Sequence, residues 1–173
     1  MQKQEYTSES KLRSFLYLFL FTILIWLCLT SSLHYQEVLT GIFISLLITI
    51  FLHRQYNELG LPPLTVKRIM FFIIYLIVLF KEIIKANFDV AYRVIHPKMP
   101  IKPGIIIITT ELKQNIAKMM LANSITLTPG TFTLDIIGDN LLIHWINVRT
   151  EDKEEATQMI GMKFEKYLKV IFE

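Results

Sequence analysis

The sequence lacks acidic side chains, lysine, arginine and histidine over two long apolar stretches near its start. No Asp, Glu, Lys, Arg or His occurs from Phe15 to Leu33 or from Leu39 to Leu52, and only five residues, His34 to Val38, separate the stretches. An ionisable group at the centre of a membrane helix costs roughly 2.5 to 3.5 kcal/mol and is kept there for a function such as proton or cation passage. The two segments are therefore excluded as an ion conduit, and in any ion-moving assembly they would be a scaffold for other subunits.

The sequence is also poor in patterns that could perform catalysis or bind a metal. Cys28 is the one cysteine, so no disulfide can form within the chain. A glycine-rich phosphate loop and a nucleophile-elbow motif around Ser124 are both missing. The four histidines are scattered over a loop, a helix end and a strand, at His34, His53, His96 and His144. We therefore expect no enzymatic activity, no metal site and no cofactor.

The composition divides the chain into two parts. With 53% hydrophobic and 19% charged residues and a mean hydropathy of +0.45, the 173 residues are too apolar for a soluble domain and too polar for one wholly within a membrane. Residues 1–104 hold 11 basic and 6 acidic side chains, whereas residues 105–173 hold 7 and 9. The basic part suits an anionic bilayer surface. Nucleic acid is not an expected partner, because the basic residues are spread along apolar helices without an interleaved aromatic cluster.

The apolar stretches predict a membrane-bound N-terminal half. Residues 1–14 form a surface or cytoplasmic-side tail, and residues 15–56 contain two membrane segments that pair as an α-helical hairpin. The first segment is long enough for an uncleaved anchor rather than a signal peptide. The second is short or tilted unless its helix continues through residues 53–56. Residues 64–96 add a third helix, apolar over Ile69 to Phe80 and amphipathic from Lys81 until Pro97 ends it.

The distribution of basic residues leaves two topologies open. The N-terminal tail and the second loop carry Lys and Arg, whereas His34 to Val38 carries none, so the tail and the second loop are expected on the cytoplasmic side. Either the hairpin alone spans the membrane and the third helix lies at the cytoplasmic face, or all three helices cross and the N-terminus is outside. In both topologies the C-terminal domain is cytoplasmic.

Residues 100–173 predict a small α+β domain. The run Ile105 to Ile108 is typical of a strand buried on both faces. Thr110 is expected to cap a helix from Glu111 to about Ser124. The buried side of that helix would hold Ile116, Met119, Met120 and Asn123.

The rest of the domain predicts a hairpin and a last helix. Thr131 to Ile136 alternates strictly, which predicts a half-buried strand with Phe132, Leu134 and Ile136 on its apolar face. Gly138-Asp139 turns into a second strand whose apolar face continues through Leu141, Ile143 and Trp145. One helix follows from Asp152 to Phe172. A right-handed crossover in this βαββα order would place both helices on one face of a three-stranded sheet, a partial ferredoxin-like plan.

The segment from Leu121 to Thr131 is the most distinctive local sequence. Pro129 fixes φ and Gly130 accepts a positive φ, so Thr128 to Thr131 is a candidate type II turn. Short polar side chains around it can satisfy backbone groups where the helix ends. Two interpretations remain open, a rigid helix-to-strand corner and a surface that contacts a partner subunit. The residues concerned are Asn123, Thr126, Thr128, Pro129 and Gly130.

This segment carries a resemblance to a known family. Together with residues 81–90 (KEIIKANFDV), Pro103-Gly104 and residues 110–113 (TELK), it closely resembles the E subunit of the multisubunit Mrp-type sodium/proton antiporters of bacteria. The resemblance covers nearly the whole chain, including the order of apolar spans followed by a small domain. It implies a subunit of a large hetero-oligomer in the bacterial cell membrane, in which larger subunits hold the ion paths.

Two functions follow as hypotheses. The first is a non-catalytic subunit needed for assembly of a cation/proton antiporter, and the second is a membrane-anchored module that senses a small ligand in a groove of its sheet. Lys81, Glu82 and Lys85 are the charged candidates beside the third apolar segment. They would either line a cytoplasmic ion entrance or lie at the lipid interface.

Overall fold

The N-terminal unit is a hairpin of two apolar helices, α1 (Ser8–Thr30) and α2 (Tyr35–Glu58). The structure, a computed structural model, describes residues 8–58, 62 and 65–173 and divides into two units between residues 61 and 62. By length and composition both helices could cross a membrane, over Leu12–Thr30 and Tyr35–Gln55. The second apolar run was predicted to be short for a span unless its helix continued through residues 53–56, and α2 does continue beyond them. Residues 8–14 of the expected surface tail belong to α1, and residues 1–7 lie outside the described residues.

Small side chains bring α1 and α2 together. Gly41, Ser45 and Thr49 recur every four residues along α2 and are buried, so the two backbones can approach closely. A Cβ atom at Gly41 would overlap the Trp26 indole, which also donates from Nε1 to the carbonyl of Glu37 at 3.0 Å. Trp26 is thus part of the contact between α1 and α2.

The second unit begins with a 30-residue helix, α3 (Val66–Ile95). Thr65 caps its start, because its hydroxyl accepts from the Arg68 backbone N–H at 3.3 Å, and His96 is the C-cap. The helix predicted over residues 64–96 is therefore present at nearly those bounds. Tyr75 and Leu79 are its buried side chains and pack toward the elements that follow.

Three antiparallel strands form the sheet of the second unit: β1 (Gly104–Thr109), β2 (Thr131–Ile137) and β3 (Asn140–Trp145). β3 pairs with both other strands, so the order is β1-β3-β2. Leu141 and Ile143 of β3 are fully buried, as predicted. Helices cover this face of the sheet, and the other face is open.

The sheet leaves one face of β1 and of β2 exposed, where the sequence predicted burial. Ile105 and Ile107 of β1 are exposed on the open face, and so is Phe132, which shares His144 as a pairing partner with Ile105. In β2 the threonines face the helices instead, since the Thr133 hydroxyl donates to the Ala122 carbonyl at 3.1 Å. Alternation predicted the strand correctly but not its inward face, because hydroxyls on that face bond carbonyls of the preceding helix and a register irregularity lies between Thr133 and Asp135.

The first helix of the domain, α4 (Asn115–Leu127), begins four residues later than predicted. The Thr110 hydroxyl accepts from the N–H of Leu112 at 3.2 Å and the Thr110 N–H donates to the Asp139 carbonyl at 2.9 Å, while buried Glu165 accepts from the N–H of Glu111 at 2.6 Å. These bonds satisfy the backbone outside a helix. The buried side also differs from the predicted one, since Met119 and Asn123 are exposed and the inward residues are Ala117, Lys118, Leu121, Ala122, Ser124 and Ile125.

The last predicted helix is divided at Gly161 into α5 (Lys153–Ile160) and α6 (Met162–Phe172). Asp152 caps α5 by accepting from the Glu155 N–H at 2.8 Å. A Cβ atom at Gly161 would lie 3.3 Å from Ile108 Cδ1 on β1. The glycine therefore permits a close approach to the sheet where α5 ends and α6 begins.

Candidate functional site

The corner between α4 and β2 has the turn geometry that its sequence predicts. Gly130 has a φ of 94°, and the Thr131 N–H donates to the Thr128 carbonyl at 3.3 Å. Three hydroxyl bonds fasten the end of α4 to this turn: Thr128 Oγ1 donates to the Ser124 carbonyl at 2.8 Å, and Thr131 Oγ1 to the carbonyls of Ile125 and Thr128 at 2.7 and 2.9 Å. The carbonyls released by the helix end are thus satisfied by side chains.

The corner packs against α3. A Cβ atom at Gly130 would lie 3.1 Å from Ile146 Cγ2 and 3.6 Å from Val90 Cγ2, so only a glycine leaves the present spacing undisturbed. One turn further along α4, the hydroxyl of Ser124 and the phenol of Tyr75 form a buried hydrogen bond of 2.6 Å. Burial raises the pKa of Tyr75, whereas its bond to Ser124 acts in the opposite direction.

A cleft of about 370 Å³ separates the second half of α3 from the corner and from α5 and α6. Glu82 and Lys85 of α3 line one wall, and Thr128, Pro129 and Gly130 line another. Five of the residues singled out by the sequence therefore meet in one place, although 43 or more positions separate the two groups in the chain.

Ion pairs cross or border this cleft. Glu82 pairs with Lys163 of α6 at 3.0 Å, and both side chains are mostly buried. Arg93 holds Asp89 through two bonds of 2.8 and 3.1 Å and donates to the Pro100 carbonyl at 2.6 Å. The hydrogen bond from Arg93 lowers the pKa of Asp89, which stays ionised well into the acid range.

The remaining predicted site residues lie elsewhere. Asn123 and Thr126 line a separate shallow groove beside β2, where Thr126 Oγ1 accepts from the Thr133 N–H at 3.2 Å. Lys81 is exposed on α3 and is not among the residues that line the cleft. The single site suggested by the residues from 123 to 130 thus divides into two surfaces.

Sequence reasoning missed three basic residues of the cleft. Arg93 could have been found from its i, i+4 spacing to Asp89, which is typical of a helical ion pair. Arg149 and Lys163 gave no such signal, because the fold alone brings them from the segment after β3 and from α6 to the wall of the cleft.

The arrangement can position a helix more readily than it can perform chemistry. Its acidic groups have basic partners, and its hydroxyls are engaged by backbone carbonyls. Within the described part of the chain no group of three or more His, Cys, Asp or Glu side chains could hold a metal ion. The contacts therefore fix α3 to the α/β elements along the cleft.

Comparisons with known proteins bear on the role of such a chain. Residues 19–171 match the family model MNHE, a Na+/H+ ion antiporter subunit. The Na(+)/H(+) antiporter subunit E1 of Staphylococcus epidermidis is 34% identical over 150 residues, which cover 86% of this chain and 91% of that protein.

Two solved structures contain similar chains. One belongs to the membrane-bound sulfane sulfur reductase, an archaeal respiratory membrane complex, with 48% identity, a TM-score of 0.82 and coverage of 92% of this chain and 99% of that chain. The other belongs to the Mrp complex from Dietzia sp., with 24% identity, a TM-score of 0.42 and coverage of 61% of this chain and 97% of that chain.

Proposed function

The chain belongs to the family of Na+/H+ ion antiporter subunits, and from that premise we propose that it is a non-catalytic subunit required for assembly of a multisubunit antiporter in the cytoplasmic membrane. Membership of this family makes it a membrane protein and one subunit of a hetero-oligomeric ion-transport complex. The proposal concerns its task there, which is structural support for other subunits that carry the ions.

One observation carries the proposal. The apolar runs of α1 and α2 lie within Phe15 to Leu33 and Leu39 to Leu52, and they contain no Asp, Glu, Lys, Arg or His that could exchange a proton or pair with a cation. The buried Thr49 hydroxyl bonds within its own helix, where Oγ1 donates to the Ser45 carbonyl at 2.7 Å. The family function therefore needs ion paths in other subunits.

We place the α/β domain on the cytoplasmic side and interpret its βαββα order as part of the ferredoxin-like plan. The basic residues in 53–68 and their absence from 34–38 support this side. The strand order β1-β3-β2, with both outer strands antiparallel to β3, supports the plan. In a Cys28→Ser background, Gln36→Cys should react with an impermeant thiol reagent from outside and Lys153→Cys should not. Labelling of Lys153→Cys from outside would refute the cytoplasmic assignment.

The assembly role is tested by removing this chain from cells that produce all other subunits, one of which carries an affinity tag. We expect the remaining subunits to purify as partial complexes without antiport, and re-expression of the chain to restore both. A complete, active complex without the chain would refute the proposal.

The non-catalytic part of the proposal is tested at the charged residues of α3. Lys81→Ala and Glu82→Ala should each preserve antiport in the complete complex, because the apolar runs Phe15 to Leu33 and Leu39 to Leu52 hold no Asp, Glu, Lys, Arg or His to pass a proton onward. Glu82→Ala also removes the bond to Lys163, so it is expected to lower complex yield slightly while turnover per complex stays the same. Loss of antiport at normal subunit levels would identify an essential ion-path residue.

One observation favours the alternative function, a module that senses a small ligand. The cleft offers four basic side chains against two acidic ones, a balance that suits a small anion: Lys85, Arg93, Arg149 and Lys163 against Glu82 and Asp89. If the cleft is a sensor site, inorganic phosphate or pyrophosphate should raise the melting temperature of the purified complex, and Arg149→Ala should remove that shift. We expect no shift.

A further inference from the structure

Helix α3 has two opposite faces of different character. One face holds Tyr75 and Leu79 and packs on the α/β elements. The other exposes an unbroken apolar stripe whose members recur every three or four residues over most of the helix, which is about 45 Å long. The α3 stripe consists of Val66, Met70, Ile73, Ile77, Phe80, Ile84 and Phe88.

The segments that follow α3 contact it along its whole length, from its first turn to its last. Near its start, Arg68 donates to the main-chain oxygen of Glu173 at 3.5 Å. Tyr75 bonds Ser124 in the first half of the helix, and Glu82 pairs with Lys163 near its middle. At its end Arg93 bonds Pro100. α6 therefore runs antiparallel to the apolar half of α3, the half that would have to cross the bilayer.

Charged groups lie beside that apolar half. Lys169 of α6 pairs with Glu111 at 2.7 Å, and Glu173 accepts from the N–H of Lys113 at 2.6 Å. All four of these residues are exposed. If α3 crossed the bilayer, α6 and its exposed charges would be carried to hydrocarbon depth, where exposed ion pairs and irregular backbone are not tolerated.

We propose that α3 lies in the plane of the membrane surface, with the α3 stripe in the outer hydrocarbon and the α/β elements on the water side. Lys67, Lys81 and Lys85 are exposed and share one flank of the stripe, where their ammonium groups can reach anionic lipid headgroups. Only seven residues, 59–65, connect α2 to α3, so the helix begins close to the bilayer surface. The chain then spans the membrane twice.

This inference needs the membrane location of the family and not the assembly role proposed above. It is tested with spin labels in the assembled complex, reconstituted into vesicles that contain phosphatidylglycerol. In a Cys28→Ser background, single labels replace Met70, Ile77 and Ile84 on the α3 stripe, and Glu154→Cys on α5 provides a water-exposed control. Collision with oxygen, relative to a water-soluble nickel chelate, measures the depth of each label.

The three labels on the stripe should report nearly equal, shallow depths of about 5 to 10 Å. A helix that crosses would descend about 1.5 Å per residue, so the labels at 70 and 84 would differ by roughly 20 Å, and that result would overturn the proposal. Low collision with both reagents at all three positions would show that another subunit covers the stripe, which also overturns it.

The headgroup contact is tested separately. With Lys81→Glu and Lys85→Glu added, the label at Ile77 should become shallower in vesicles that contain phosphatidylglycerol and should change less in purely zwitterionic ones. An unchanged depth in both kinds of vesicle would show that the lysines do not contact the lipid headgroups.

Discussion

The hairpin of α1 and α2 and the unit that follows it satisfy their polar groups in different ways. In the hairpin, hydroxyls donate to carbonyls of their own helix, as Thr22 and Thr49 do, and apart from the bond of Trp26 to Glu37 the helices meet through small residues such as Gly41 and Ser45. In the second unit, polar side chains join different elements, as in the bond from Tyr75 to Ser124 and the pair of Glu82 with Lys163. The first unit therefore depends on shape, and the second on particular partners.

The largest expected effect tests the dependence on partners. Tyr75→Ala would empty a fully buried site on α3 and leave a cavity, at a cost of about 3 to 5 kcal/mol. Tyr92→Ala on the same helix is the matched control, because that ring is exposed and contacts only the ring of His96 among the aromatic pairs described. We expect the melting temperature and yield of the complex to fall for Tyr75→Ala and to change little for Tyr92→Ala.

The phenol of Tyr75 can be examined alone. Tyr75→Phe keeps the ring and removes the bond to Ser124, so the expected loss is about 0.5 to 1.5 kcal/mol. An effect as large as that of the alanine variant would show that the hydrogen bond, and not the packing, holds α3 in place.

A bulky residue in the hairpin tests the dependence on shape. Gly41→Leu would force the Trp26 indole away from α2, and overpacking of this kind costs about 1 to 3 kcal/mol. Thr40→Leu introduces the same side chain at the neighbouring exposed position. The level of the subunit in the membrane should fall for Gly41→Leu alone. Equal levels for the two variants would mean that the close contact does not stabilise the hairpin.

A substitution at the corner beside the cleft should destabilise the protein by as much as Gly41→Leu or by less. Gly130→Ala places a Cβ atom at a φ of 94° and 3.1 Å from Ile146, which we expect to cost about 1 to 3 kcal/mol. Gly138→Asn is the control, since Gly138 has a φ of 63°, which asparagine tolerates, and open space around it. Thermal unfolding of the complex should separate the two variants. Identical curves would show that the corner can rearrange freely.

Acidification should have the smallest effect of the changes considered, and it should act on the second unit. The pKa values of Asp89, Glu111 and Asp139 are lowered, chiefly by hydrogen bonds from Arg93, Lys169 and Lys118 respectively. A lowered folded-state pKa stabilises the fold above the ordinary value near 4, and this contribution is lost as pH falls through the lowered value. The melting temperature should therefore be flat from pH 7 to 5 as far as these groups are concerned. Asp89→Asn should change the melting temperature only slightly at pH 7, because the side chain is 44% exposed.

Local sequence patterns predicted most of the helices and strands, but not always which of their faces is buried. The turn at Pro129-Gly130 and the extent of α3 depend on neighbours in the chain, so they were predicted at or near their observed positions. The inward face of β2 depends on the end of α4, whose carbonyls bind Thr131 and Thr133. The meeting of Glu82 with Lys163 depends on the path of the chain, and no local pattern indicated it.

The open face of the sheet bears on what happens to this chain when it is alone. Ile105, Ile107 and Phe132 present an apolar patch to water, and patches of this kind promote aggregation and are recognised by chaperones and proteases. Copies made in excess of their partner subunits would be removed by the quality-control machinery of the cell. The abundance of the subunit would then follow that of its partners without a separate regulator.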